Sequence, residues 1–86
     1  MRLEDILVKI QGIIYGEIKV KLDFDDILIE NGLDSVSMIE FIVKIEEFFD
    51  IEFEVSRLNY KLLKSIRTIS EYVYQLLIEG KSHAES

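Results

Sequence analysis

The sequence predicts an all-α domain: a small four-helix bundle of three longer helices and one short third helix, with a long loop between helices 1 and 2. Three observations carry that expectation. The 86 residues include no proline and only four glycines, too few breaks for a turn-rich sheet protein. Apolar residues make up 49% of the chain and recur mostly at helical spacing. A chain of this length buries only about 60% of the surface its unfolded form exposes, so it builds one compact core. That core is assigned to residues 1–80, with a polar tail at 81–86 that is expected to fray.

The first helix is expected from Leu3 to about Tyr15, because Leu3, Ile6, Leu7, Ile10, Ile13 and Ile14 share one face. Gly12 costs about 1 kcal/mol relative to alanine without breaking the helix, and Gly16 is the expected stop. From Glu17 to Asn31 the period is lost. Val20, Leu22, Phe24, Ile27 and Leu28 are expected to lie back on the core from a loop with one turn started by Asp25. A connection of about fifteen residues is uncommon inside a compact domain and is more often functional than idle.

The second helix is expected from Asp34 to Phe49. Beyond it, Ile51, Phe53 and Val55 alternate like a strand, but a lone short strand has no partner, so this stretch is expected to run extended across the bundle. Leu58, Leu62 and Leu63 suggest the short third helix. Thr68-Ile-Ser-Glu71 has the form of a capping box opening the last helix, which presents Ile69, Tyr72, Val73, Leu76 and Leu77 on one face and stops near Gly80.

The second helix has apolar residues on both sides. With Val36 at zero on a wheel of about 100° per residue, Met38, Phe41, Ile42, Ile45, Phe48 and Phe49 fall within roughly 120° to 240°, a stripe wide enough for the core face. Val36, Ile39 and Val43 lie opposite, with Glu40, Glu46 and Glu47 around them. Either the Glu17 to Asn31 loop covers this second stripe, or its three scattered aliphatics are simply exposed and need no explanation, or it is a docking surface with an apolar centre and carboxylates to steer a basic partner. The serine at the head of the helix also has two readings. Asp34 and Ser35 are both good N-cap residues, and Ser37-Met-Ile-Glu40 has the form of a capping box, so helix initiation alone could explain the polar cluster. Alternatively Ser35 is acted upon: a phosphate ester there would sit at a helix N-terminus, where free N–H groups and the dipole stabilise negative charge.

Composition narrows the function. Seventeen acidic against ten basic residues give a net charge of −7, which repels nucleic-acid backbones and favours basic partners. The absence of cysteine removes disulfides, thiol nucleophiles and cysteine metal sites. The only histidine is His83, so no Ser/His/Asp arrangement can activate Ser35 as a nucleophile. The pairs Asp25/Asp26 and Glu46/Glu47 have no histidine or phosphate-cradling glycine loop beside them, and Asp23, Asp25 and Asp26 lack the glycine and distal glutamate of a calcium loop. No apolar run approaches the ~18 residues of a membrane span and no leader opens the chain, so a cytoplasmic protein, not an enzyme, is expected.

Gly32-Leu33-Asp34-Ser35, followed by a helix bearing Glu40, Glu46 and Glu47, resembles the acyl carrier protein family. Asp34-Ser35-Val36 is similar to that family's Asp-Ser-Leu signature, and the likeness extends over most of the chain, through the long loop and the Glu46-to-Phe53 ending to the last helix. The resemblance implies that Ser35 carries a 4'-phosphopantetheine arm through a phosphodiester. A phosphopantetheinyl transferase would install it from coenzyme A, with Asp34 helping that enzyme position its metal. Acyl or aminoacyl intermediates would travel on the arm as thioesters, for fatty acid or for polyketide or nonribosomal-type biosynthesis. Val36, Ile39, Glu40, Val43, Glu46 and Glu47 match the family's partner-binding positions. The implied partners are acyl- or aminoacyl-activating ligases and synthase or transferase enzymes with basic patches, meeting a monomer. Three features depart from the pattern: valine follows the serine, Ser37 stands where an acid is common, and the stretch from Glu54 to Lys64 is longer and lacks a proline. The competing reading is a helical adaptor that binds proteins through Val36, Ile39 and Val43 with Ser35 unmodified.

Overall fold

Three α-helices carry the core: α1 (Leu3–Ile18), α2 (Ser35–Phe49) and α3 (Ile66–Ile78). The computed structural model describes residues 1–80, so the tail at 81–86 lies outside the described residues. The fold is all-helical as expected, and α1 packs against both α2 and α3. Ile6, Ile10 and Ile14 of α1, Phe41 and Ile45 of α2, and Ile66, Ile69 and Val73 of α3 are fully buried together. Their i, i+3/i+4 spacing gives each helix one continuous apolar stripe, and burying those stripes is what holds short helices folded. No helix among the described residues is long and apolar enough to cross a membrane.

Several elements differ from expectation, each for a local reason. α1 runs through Gly16 to Ile18 and ends where Lys19 turns left-handed at φ 60°, its N–H donating to the Tyr15 carbonyl at 2.8 Å. Tertiary contacts favour the extra turn: Ile18 packs on the core, and Glu17 forms an ion pair with Lys44 of α2. In the following loop Leu22 and Leu28 are buried and Phe24 and Ile27 half-buried, but Val20 is exposed. The turn starts at Asp23 rather than Asp25: the Asp23 N–H donates to the Asp26 carboxylate at 2.8 Å. Asp25 instead accepts two hydrogen bonds from the Arg67 guanidinium, at 2.6 and 3.1 Å, while the Arg67 N–H donates to the Phe24 carbonyl at 2.9 Å. The loop is thereby fastened to the start of α3.

Phe48 was expected on the core face, yet it is 50% exposed. It sits at the edge of the stripe, where its ring meets Phe49 edge-on and is covered by the Lys9 ammonium at 4.1 Å from the centroid. The short third helix is replaced by two 3-10 turns, Val55–Arg57 and Leu62–Lys64, neither of which buries a residue. Leu62 and Leu63 pack on the core only half-buried, too little apolar surface to offset the cost of helix nucleation, and local bonds compete: the Asn59 side chain accepts from Leu62 N–H at 3.0 Å. Ile51 and Phe53 are buried as expected for an extended crossing, whereas Val55 is 83% exposed. The last helix is capped three residues before the expected cap. Ser65 is its N-cap, its hydroxyl accepting from Thr68 N–H at 3.2 Å while Thr68 Oγ1 accepts from Ser65 N–H at 3.1 Å. The earlier start brings Ile66 into the core, and Thr68 becomes the reciprocal partner of the box rather than its head.

Candidate functional site

The chain reaches α2 through a 3-10 turn, Leu28–Asn31, closed by Gly32 at φ 108°, a backbone region in which a side chain is strained. Leu33 is buried beyond it and fixes the direction from which Asp34 enters the helix. Asp34 is extended and is the N-cap: its carboxylate accepts from Ser37 N–H at 2.8 Å, and its carbonyl accepts from Met38 N–H at 2.9 Å. The Ser37 backbone N–H, then the Ser37 hydroxyl, hold the Asp34 carboxyl below its ordinary value. Ser37 lies inside the helix, so the box it could have headed with Glu40 is not formed.

With Asp34 as the cap, Ser35 is left over. It is the first residue of α2, it is exposed, and its hydroxyl makes no hydrogen bond to any described residue. Helix initiation therefore does not account for the serine. Beside it opens a groove of about 240 Å³ lined by Ile29, Leu33, Asp34, Ser35, Met38, Tyr60 and Leu63. Ile29 and Tyr60 were not anticipated from the sequence. Both are exposed and sit in short irregular segments, where no hydrophobic period marks a residue as part of a wall.

The second apolar stripe of α2 is open. Val36, Ile39 and Val43 are 66%, 64% and 42% exposed, so the loop does not cover them. Glu40 and Glu47 are exposed on the same helix. Glu46 is half-buried, and its carboxylate accepts from Phe53 N–H at 2.8 Å, tying the end of α2 to the chain that follows it. Lys44 would dilute this acidic surface if it were free. Instead it is paired with Glu17, whose side chain is almost wholly buried, and that bond, together with the Glu40 and Glu47 charges, raises the lysine pKa.

An exposed, unengaged hydroxyl at a helix N-terminus can accept a phosphate ester without breaking any internal bond, and the acidic-rimmed face next to it suits an enzyme that would place one there. Comparison with known proteins identifies the family. A family model described as the phosphopantetheine attachment site matches residues 8–73, from α1 into α3. The chain is 42% identical over 53 residues to an aminoacyl carrier protein of Agrobacterium fabrum, covering 62% of this chain and 63% of that protein, just under two thirds of its length. It is 31% identical over 74 residues to an acyl carrier protein of Phytoplasma mali, covering 86% of this chain and 82% of that protein.

Proposed function

The chain belongs to the phosphopantetheine attachment site family, and from that premise we propose that Ser35 is the attachment point and that residues 1–80 act as a carrier domain for acyl or aminoacyl thioesters. The observation that carries the reading is the division of labour at the head of α2, where Asp34 caps the helix and leaves the Ser35 hydroxyl exposed and unbonded. The cofactor of the family, 4'-phosphopantetheine, supplies the thiol that a cysteine-free chain lacks. In the attachment step the Ser35 oxygen forms a bond to phosphorus and a pyrophosphate P–O bond of coenzyme A breaks. Adenosine 3',5'-bisphosphate leaves, and the serine proton passes to a base of the transferase. The chain is a carrier and not an enzyme: it displays the bound intermediate to enzymes that act on it.

Membership in the family implies a modifying enzyme and biosynthetic enzymes as partners. Their docking surface on this chain is the Val36, Ile39 and Val43 stripe, with Glu40, Glu46 and Glu47 as the acidic rim. Asp34 has a second duty beyond capping, helping the transferase to position its metal ion. The two carrier relatives differ in the cargo their names state, aminoacyl in one and acyl in the other, and this reading covers both cargo classes. The protein works as a cytoplasmic monomer in this reading. The test is incubation with coenzyme A and a phosphopantetheinyl transferase, followed by mass measurement. Gain of one arm by the natural chain and none by Ser35→Ala supports the carrier, whereas an unmodified natural chain that still binds proteins through α2 supports the adaptor.

A further inference from the structure

Charge is segregated along this chain. Residues 22–54 hold eleven acidic side chains and one basic, Lys44, while residues 55–70 hold four basic side chains, Arg57, Lys61, Lys64 and Arg67, and no acidic one. The basic segment is not remote from the site. Tyr60 and Leu63 form one wall of the groove at Ser35, and Lys61 and Lys64 are the residues that follow them. The four cations are not equivalent. Arg67 is held by Asp25 through two hydrogen bonds, and Arg57 lies 4.9 Å from the centre of the Tyr72 ring. Lys61 and Lys64 are exposed and have no ion pair or hydrogen bond among the described residues.

An enzyme that reaches the Ser35 oxygen must lie over the mouth of that groove and so over both of its walls. A specific interface covers about 800 Å² per partner. On a molecule measuring 34 × 25 × 20 Å, such a footprint centred on Ser35 reaches from α2 across Tyr60 and Leu63, beyond which Lys61 lines a neighbouring hollow together with Arg57 and Glu71. The α2 surface is acidic, the 57–64 segment basic. Resting on the assignment of Ser35 as the attachment point, we infer that the transferase modifying Ser35 docks through two patches of opposite sign: basic residues over α2, and carboxylates over Lys61 and Lys64. Two fixed charges of opposite sign on either side of the attachment point set the orientation of the partner, which a uniformly acidic surface cannot do.

The inference gives a sign opposite to that of net-charge steering. Reversing both lysines makes the chain four units more negative than −7, which would quicken association with a purely basic partner. The experiment measures kcat/KM for arm transfer from coenzyme A by the transferase purified from the host cells, acting on the natural chain, on Lys61→Glu/Lys64→Glu and on Lys61→Gln/Lys64→Gln. Thermal unfolding confirms that each is folded. The expected result is a fall of about tenfold for the reversed pair and a smaller fall for the neutral pair, both shrinking at high salt as exposed charges are screened. An unchanged or higher kcat/KM for the reversed pair overturns the inference while leaving Ser35 as the attachment point. If the natural chain itself gains no arm, the attachment reading fails and the inference falls with it.

Discussion

Replacing Ile39 by alanine separates the docking role proposed for that residue from the role of a core residue on the same helix. Full burial of an isoleucine side chain is worth about 1.5–3 kcal/mol. Ile39 is 64% exposed, so a partner has roughly two thirds of that left to gain, and alanine retains only a small part of it. The substitution should therefore remove about 1 kcal/mol of docking energy, or about fivefold in affinity. Within the free protein little is lost: exposed substitutions usually stay within about 0.5 kcal/mol, and alanine is the better helix former. Phe41→Ala, on the buried side of α2, should instead cost about 3–5 kcal/mol of stability. The assay pairs thermal unfolding with the rate of arm transfer from coenzyme A at limiting substrate. An Ile39→Ala protein that unfolds much more easily, or that is modified at the natural rate, would refute the assignment of this stripe to partners.

Other outcomes follow from single contacts. Asp34→Ala should lower the melting temperature more than Asp34→Asn, since asparagine keeps the cap but not the carboxylate charge, and Ser35→Ala should leave it unchanged; a loss with Ser35→Ala would mean that the serine is part of the cap. The carboxyls of Asp25 and Asp34 are held below their ordinary value of 3.8, so their contribution to stability is complete above that pH and is lost as pH falls through 3.8 toward the lower folded values. Acid titration of unfolding should be flatter for Asp25→Asn/Asp34→Asn, and an identical acid limb would remove these two groups from the account. Ser70 is fully buried, with a hydroxyl that finds no partner among the described residues, so Ser70→Ala should raise stability by about 1 kcal/mol; a loss measured by urea unfolding would reveal a hydrogen bond. Glu46→Gln should weaken both folding and docking through its bond to Phe53 N–H, whereas Glu47→Gln should weaken docking alone, a contrast that unfolding curves and transfer rates together decide.

What the sequence disclosed depended on whether the deciding interaction was local or distant. The three long helices were legible because their buried residues repeat every three or four positions, as in Ile6, Ile10 and Ile14 or Ile69, Tyr72 and Val73. Their ends were less so. Nothing near Gly16 announces that Glu17 will meet Lys44 on another helix and favour one more turn. Ser65-Ile-Arg-Thr68 and Thr68-Ile-Ser-Glu71 are overlapping caps of similar quality, and burial of Ile66 decides between them. In the stretch from Val55 to Lys64 the pattern of Leu58, Leu62 and Leu63 suggested a helix, but none of the three is fully buried, so the pattern is too weakly packed to fix one. At the candidate site the residue types were visible from the first, but not who does what. Asp34 and Ser35 suit the cap alike, and only the hydrogen bond to Ser37 N–H assigns that duty to the aspartate. Likewise Glu46 looks like any rim carboxylate until Phe53, seven residues on, is found donating to it.

The most direct test of the carrier reading is the intact mass, with peptide mapping, of the protein after incubation with coenzyme A and a phosphopantetheinyl transferase. The reading predicts one added phosphopantetheine, carried on Ser35 and absent from a folded Ser35→Ala protein. An arm attached at any other residue, or none acquired from several transferases by a folded natural chain, would contradict it.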